Sequence, residues 1–294
     1  MEEIAYQEAA KEGTIKAWKE YKEKYPTNNK SHLIEATKQI KRLEKEEEED
    51  DSSKTCVQKY KKKAEKGDAD AQNKLGTCYF NGDGTPKDYY EAVKWYKKAA
   101  DQGYDKAQHN MGLVYYNGYG VAKDYYEAFK WYKKAAEQGV ASAQYELGLS
   151  YHYGEGVVQN YSEAFRWYKK AAEQGDAYAQ GNLGWCYATG KGIKKDLYEA
   201  FRWYKKAAEQ GIANNQKDLG YFYYNGEGTQ QDYYEAFRWF KKAAEQGDAS
   251  AQYSLGVCYE NGEGTQKDLN EAQRWYKKAA EQGHAGAKEQ LKSF

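Results

Sequence analysis

Few residues in this 294-residue chain have the type and spacing to do chemistry. The four histidines, His32, His109, His152 and His284, are scattered with no two at ligand spacing on one helix, so no metal is expected. His109 and His152 are the pair placed to face one groove, and an acid–base enzyme would have to use them. Cys78, Cys186 and Cys258 lie 108 and 72 residues apart at equivalent positions of an internal repeat. At about 10 Å per packed helix layer they are too distant to bond one another, because a disulfide needs Cα atoms within roughly 7 Å. They read as small packing residues, as does Cys56, which falls where the repeats carry Ala; disulfides are not expected to hold the fold. GWCYATGKG, from Gly184 to Gly192, has five residues between its first two glycines where a phosphate loop needs four, and a Gly after its Lys. NGDGTPKD, from Asn81, follows a calcium loop only until the twelfth position, which is Ala92. It reads as a turn between helices, and no cofactor is expected.

What must position any site is a repeat. Gly67, Gly103, Gly139, Gly175, Gly211, Gly247 and Gly283 are spaced by 36, as are the tryptophans from Trp95 to Trp275. Six units run unbroken, with half-units before the first and after the last. In each unit a first helix carries an apolar stripe such as Ala71, Leu75 and Tyr79, and glycines then turn the chain. A second helix opens on a capping box, Asp88 with Glu91 and its five equivalents, and buries Ala92, Tyr96, Ala99 and Ala100. The period-36 glycine suits the left-handed residue that ends this helix. Gly76, Gly112, Gly148, Gly184, Gly220 and Gly256 sit mid-helix, where each costs about 1 kcal/mol against Ala, so a close approach of the paired helix is expected there. One pair cannot bury both its faces, so the pairs must stack. The expected fold is all-α: a right-handed α/α superhelical solenoid of six 36-residue helix-turn-helix repeats, with half-repeats at both ends and an N-terminal helical hairpin before them.

The pattern Ala-x-x-x-Leu-Gly-x-x-Tyr-x-x-Gly-x-Gly-x-x-x-Asp-x-x-x-Ala-x-x-Trp-Tyr-x-x-Ala-Ala-x-x-Gly, from Ala71 to Gly103 and repeated five times, resembles the Sel-1-like repeat family. That family is related to tetratricopeptide repeats, and the resemblance, over about residues 55–294, implies a protein-binding adaptor or scaffold. A cysteine-rich secreted branch, associated with β-lactam binding and hydrolysis, staples each repeat with a disulfide. This chain has Ala99-Ala100 and their equivalents instead, and no Ser-x-x-Lys motif, so that activity is not carried over.

Composition fits a neutral, aromatic-rich globular chain. Lys plus Arg and Asp plus Glu are 45 each, so no attraction to nucleic acid or anionic membrane is built in. Leu, Ile, Val and Phe together are only 34, but 32 Tyr and 8 Trp supply a core. The start, MEEIAYQEAAKEG, lacks the basic and apolar stretches of a secretory leader, and no run is long enough to span a membrane. The chain is therefore expected to be cytoplasmic, where a reducing environment fits the sparse cysteines. Residues 1–54 differ from the rest. Ile15, Trp18, Tyr21 and Tyr25 form one helical face, Pro26-Thr-Asn-Asn breaks it, and Leu33, Ala36, Ile40 and Leu43 form another. This gives a hairpin, either capping the first repeat or standing as a small domain, with Glu44–Asp51 as an acidic linker at a frayed helix end.

Positions identical in all six units serve packing; those that differ are free for recognition. Aligning the first helix on the tetratricopeptide pattern puts Asn73, Phe80, His109, Tyr116, Tyr145, His152, Tyr178, Trp185, Tyr221, Tyr224 and Tyr253 on the concave face. That surface is expected to be aromatic and nearly uncharged, suited to an extended protein or peptide segment. Aromatic platforms also stack on sugars, and some of these rings would equally serve packing between helices. The Lys pairs such as Lys97-Lys98 would line up along the second helices, but Asp88, Glu91 and Asp101 neutralise them, so no nucleic acid is expected.

Overall fold

The computed structural model describes the chain apart from residues 27–28 and the side chains of residues 45–53, and every element among the described residues is helical. The chain divides into two compact units, Met1–Trp95 and Tyr96–Phe294.

In the first unit α1 (Glu2–Glu12), α2 (Ile15–Lys24) and α3 (Lys30–Ser53) form a small bundle, one helix more than the expected hairpin. Ala9, Ala17, Trp18, Tyr21, Ala36 and Ile40 make its core. The extra helix α1 is tied in by Tyr6, stacked on His32 at 4.0 Å between centroids, and by Glu2, which accepts from the Tyr21 hydroxyl at 3.0 Å. The break after Pro26 falls partly outside the described residues. The acidic run lies at the end of α3, whose backbone stays helical through Ser53.

The half-repeat helix α4 (Cys56–Glu65) follows, then α5 (Ala69–Asn81) and the start of α6 (Tyr89–Asp101). Here the structure corrects the reading of the cysteines. Cys56 and Cys78 form a disulfide with Cα atoms 5.8 Å apart, joining α4 to α5. The expectation compared only equivalent positions; this bond links two different positions on successive helices, 22 residues apart. Twenty-two residues before Cys186 and Cys258 stand Ala164 and Ala236, and those two thiols are free, buried beside these alanines.

The second unit is a regular α/α solenoid. First helices α7 (Asp105–Asn117), α9 (Ala141–Tyr153), α11 (Ala177–Thr189), α13 (Ala213–Asn225) and α15 (Ala249–Asn261) alternate with second helices α8 (Tyr125–Glu137), α10 (Tyr161–Glu173), α12 (Leu197–Glu209), α14 (Tyr233–Glu245) and α16 (Leu269–Glu281). Each packs on the next in chain order, ending at α17 (Ala285–Gln290). The mid-helix glycines do what their cost requires. The ring of Tyr168 lies on Gly148 so closely that an added Cβ would stand 2.6 Å from it, and Phe240 meets Gly220 and Tyr276 meets Gly256 in the same way.

Only half of each capping box forms. The Asp124 side chain accepts from the Tyr126 and Glu127 amides, but its own N–H donates to the Tyr115 carbonyl at 2.9 Å. Glu127 turns outward to Lys130 at 2.7 Å. The same exchange recurs in later repeats, so the cap fastens second helix to first. A buried glutamine ladder ties repeat to repeat: the Gln144 amide donates to the Ala136 carbonyl at 3.1 Å while its oxygen accepts from Gln174 at 2.8 Å. Such groups are costly to bury unless paired, and these are paired.

Candidate functional site

Two of the selected residues belong to the first unit. Asn73 is buried, and Phe80 packs its ring on Tyr89 at 5.0 Å. The remaining nine lie on the first helices of the second unit.

On α7, His109 sits beside Tyr132 at 6.0 Å, its Nε2 buried without a partner, and burial lowers its pKa. Tyr116 packs on Tyr125 at 5.2 Å; burial, with Glu155 adding, pushes its hydroxyl up to about 12. On α9, Tyr145 lies between Tyr168 at 6.1 Å and Tyr178 of α11 at 6.0 Å. His152 stacks on Trp185 at 4.7 Å, and its Nδ1 lies 3.2 Å from the Tyr168 hydroxyl. Desolvation and the nearby Lys191, which lies over Trp185 at 5.1 Å, lower the pKa of His152. Tyr145, His152, Tyr178 and Trp185 are thus brought into one ring cluster. His109 and His152 are not brought together: His152 is stacked on Trp185 while His109 lies tilted beside Tyr132, which leaves no acid–base pair between them.

A second cluster lies on α13 and α15. The Tyr221 hydroxyl is 2.7 Å from Ser254 Oγ, Tyr224 donates to Glu263 at 2.8 Å, and Tyr253 stacks on His284 at 4.6 Å. Tyr221, Tyr224, Phe240, Tyr253, Ser254 and Val257 line an open cavity of about 230 Å³.

The expectation of a nearly uncharged face needs one amendment. Glu146 and Asp218 occupy the position just after Tyr145 and Lys217, and both are held above the usual carboxylate range by burial. For Glu146, burial with Asp176 and Glu155 adding raises the pKa to about 7. The signal was available: this position reads Lys74, Asn110, Glu146, Asn182, Asp218 and Ser254 through the units, varying as much as the positions selected.

The second-helix lysines have other work. Lys134, Lys170, Lys206, Lys242 and Lys278 each lie over the Trp ring three residues earlier, at 3.9–4.2 Å. The neighbouring Lys133, Lys169 and Lys241 pair with the acid one turn on at 3.9–4.0 Å, as Lys97 does with Asp101 at 2.9 Å. Among the described residues no cluster of His, Cys, Asp and Glu is arranged to hold a metal, and no helix is long and apolar enough to cross a membrane.

Helix pairs of this kind, glycine-registered and stacked in chain order, define an α/α repeat protein. The Sel1 repeat model matches residues 69–104, 105–140, 141–176, 177–212, 216–248 and 249–284, and the chain belongs to that family. It is similar to the c5321 protein of uropathogenic Escherichia coli, a protective antigen with an SLR fold. The TM-score is 0.76 at 40% identity over 80% of this chain and 50% of that one, so the chain spans half the length of that protein. A Sel1 repeat protein from Oxalobacter formigenes gives a TM-score of 0.67 at 41% identity over 74% of this chain and 89% of that one. No curated protein sequence matches.

Proposed function

We propose that the chain is a non-enzymatic scaffold that binds an extended segment of a partner protein along the first helices of its second unit. The observation that carries this reading is the gathering of Tyr145, His152, Tyr178 and Trp185, and then of Tyr221, Tyr224 and Tyr253, at positions the repeat leaves free to vary. Rigid rings give contact area at small entropy cost, and their hydroxyls and the Asn side chains nearby can hydrogen-bond a peptide backbone. The separation of His109 from His152 supports binding over catalysis. The stacking and pairing of the lysines on the second helices supports a protein rather than a nucleic-acid partner. Compartment enters through one pair: in a reducing cytoplasm Cys56 and Cys78 would stand as thiols in contact, and in an oxidising compartment as the disulfide.

The test is affinity capture from the producing cells with wild type and with Trp185→Ala plus Tyr221→Ala. Loss of a specific partner from a double variant with native circular dichroism is expected; an unchanged partner set would remove this face from the account.

A further inference from the structure

The bundle at the start of the first unit carries two clefts beside α2, and they are opposite in charge. Between α1 and α2 a cleft of about 170 Å³ is lined by Glu8, Glu12 and Glu20 with one cation, Lys24. Between α2 and α3 a larger cleft of about 620 Å³ is lined by Lys22, Lys30, Lys38 and Lys41 and by no acid. The chain as a whole is neutral, so this separation is local.

Other lysines of α2 are occupied by carboxylates: Lys16 lies 3.7 Å from Glu20, and Lys19 lies 2.8 Å from Glu44. Among the described residues the four cleft lysines make no such pair. Glu35, between them in sequence, lines a different cleft with Tyr6 and Trp18 and accepts there from the Gln39 amide. The one hydroxyl in the basic cleft, Thr37, already donates to the Leu33 carbonyl at 2.7 Å. Between the cations the lining is apolar. Leu33 packs on the bundle core, while Ile34 is 62% exposed. An exposed apolar centre inside a charged rim is the anatomy of an interface.

We propose that this cleft binds a short acidic segment of a partner protein, one that sets an apolar side chain on Leu33 and Ile34 and flanks it with Asp or Glu. The inference goes beyond the reading above, because the site lies in the first unit. Charge complementarity selects the occupant: ammonium groups only donate and carboxylates only accept, so each answers the other. Exposed ion pairs are individually weak, and affinity comes from several of them together with the apolar contact. The extent of the rim favours a short segment over a long polyanion. Lys30 and Lys41 are eleven residues apart on α3, about 16 Å at roughly 1.5 Å per residue. Past them the sequence turns acidic, with Glu44 and then Glu46 to Asp51, while the backbone stays helical. A nucleic acid or anionic membrane lying along α3 would there meet its own charge.

The test titrates the full chain into two fluorescein-labelled peptides of about twelve residues, made of Glu and Leu alone, one patterned for a helix and one for an extended strand. At about 50 mM salt a saturable rise in anisotropy is expected with at least one of them. Half-saturation should weaken at least tenfold when its Glu are replaced by Gln, severalfold when its Leu are replaced by Ser, and about tenfold on raising the salt to about 300 mM. Lys38→Glu plus Lys41→Glu should weaken it at least tenfold, and Ile34→Ser severalfold. If that double variant loses its native circular dichroism, Lys30→Gln plus Lys38→Gln decides by the same criterion. Failure of both peptides to saturate, or binding that survives the Gln replacement or the lysine variants, would overturn the proposal. So would tighter binding of phosphatidylglycerol vesicles or a DNA duplex at the same lysines. Salt-sensitive dimerisation of the chain in sedimentation, lost in the lysine variant, would also overturn it, since the occupant would then be a second copy.

Discussion

The two ends of the second unit use one scaffold for opposite ends. Near α15 and α16 the tyrosine hydroxyls are paired with acids, although Trp275 Nε1 on α16 is buried without a partner: Tyr276 donates to Glu260, which also accepts from Gln290 at 3.0 Å, and Tyr224 donates to Glu263. Near α7 to α9 the same positions are left open, with the Tyr132 hydroxyl and His109 Nε2 unpartnered and Glu146 unpaired. Backbone, glycine contacts and glutamine ladder are the same at both ends. What differs is the side chain that the first helix sets beside the second-helix tyrosine: an acid that accepts its hydroxyl at Tyr276, and none within hydrogen-bond reach at Tyr132.

The largest expected effect concerns the disulfide, which joins the first unit's repeats and has no counterpart in the second. Cys56→Ser should lower the stability of the first unit by about 3 kcal/mol, for a loop of this length. Ala164→Cys should pair with Cys186 under oxidation and give a comparable gain, read by thiol titration and urea unfolding. Next come the packing positions shared by both ends. Gly148→Ala and Gly256→Ala should each cost about 2 kcal/mol, since the added methyl meets a buried ring; equal losses at the two would show that their packing is interchangeable.

Glu146 separates the ends by pH. Its carboxyl rises from 4.5 to about 7 on folding, so between those values the native state holds the extra proton and stability falls as pH rises through the window. Glu146→Gln should flatten that slope, gaining on the order of 2 kcal/mol at pH 8 and little at pH 4. The smallest effect is the most discriminating. Tyr276→Phe should lose about 1 kcal/mol by removing its hydrogen bond to Glu260, whereas Tyr132→Phe should lose nothing or gain slightly. Equal losses from both would erase the contrast.

The period of 36, the two helices per unit and the reason for the mid-helix glycines were legible in the sequence because each repeats six times, and repetition isolates what packing demands. Helix α1 was not, since its short amphipathic stretch gains its place only from Tyr6 on His32 and Glu2 on Tyr21, contacts that no spacing announces. The disulfide escaped because equivalent positions were compared with one another, while stacking brings together unlike positions of successive helices. The rings proposed for binding stand out by their variation from unit to unit, whereas Glu146 sits one residue away from the positions that the tetratricopeptide pattern selects. Which of those rings meet was not readable at all: that His152 lies on Trp185 while His109 lies by Tyr132 depends on how neighbouring helices register.

The account places recognition on the first helices and not on the second, and two tyrosines offer a matched test. Tyr178 on α11 is 61% exposed and Tyr198 on α12 is 62% exposed. A photo-crosslinking phenylalanine analogue placed at each in the producing cells should give a discrete covalent adduct with a partner protein from position 178 and none from position 198. Adducts from 198 alone, or equally from both, would contradict it.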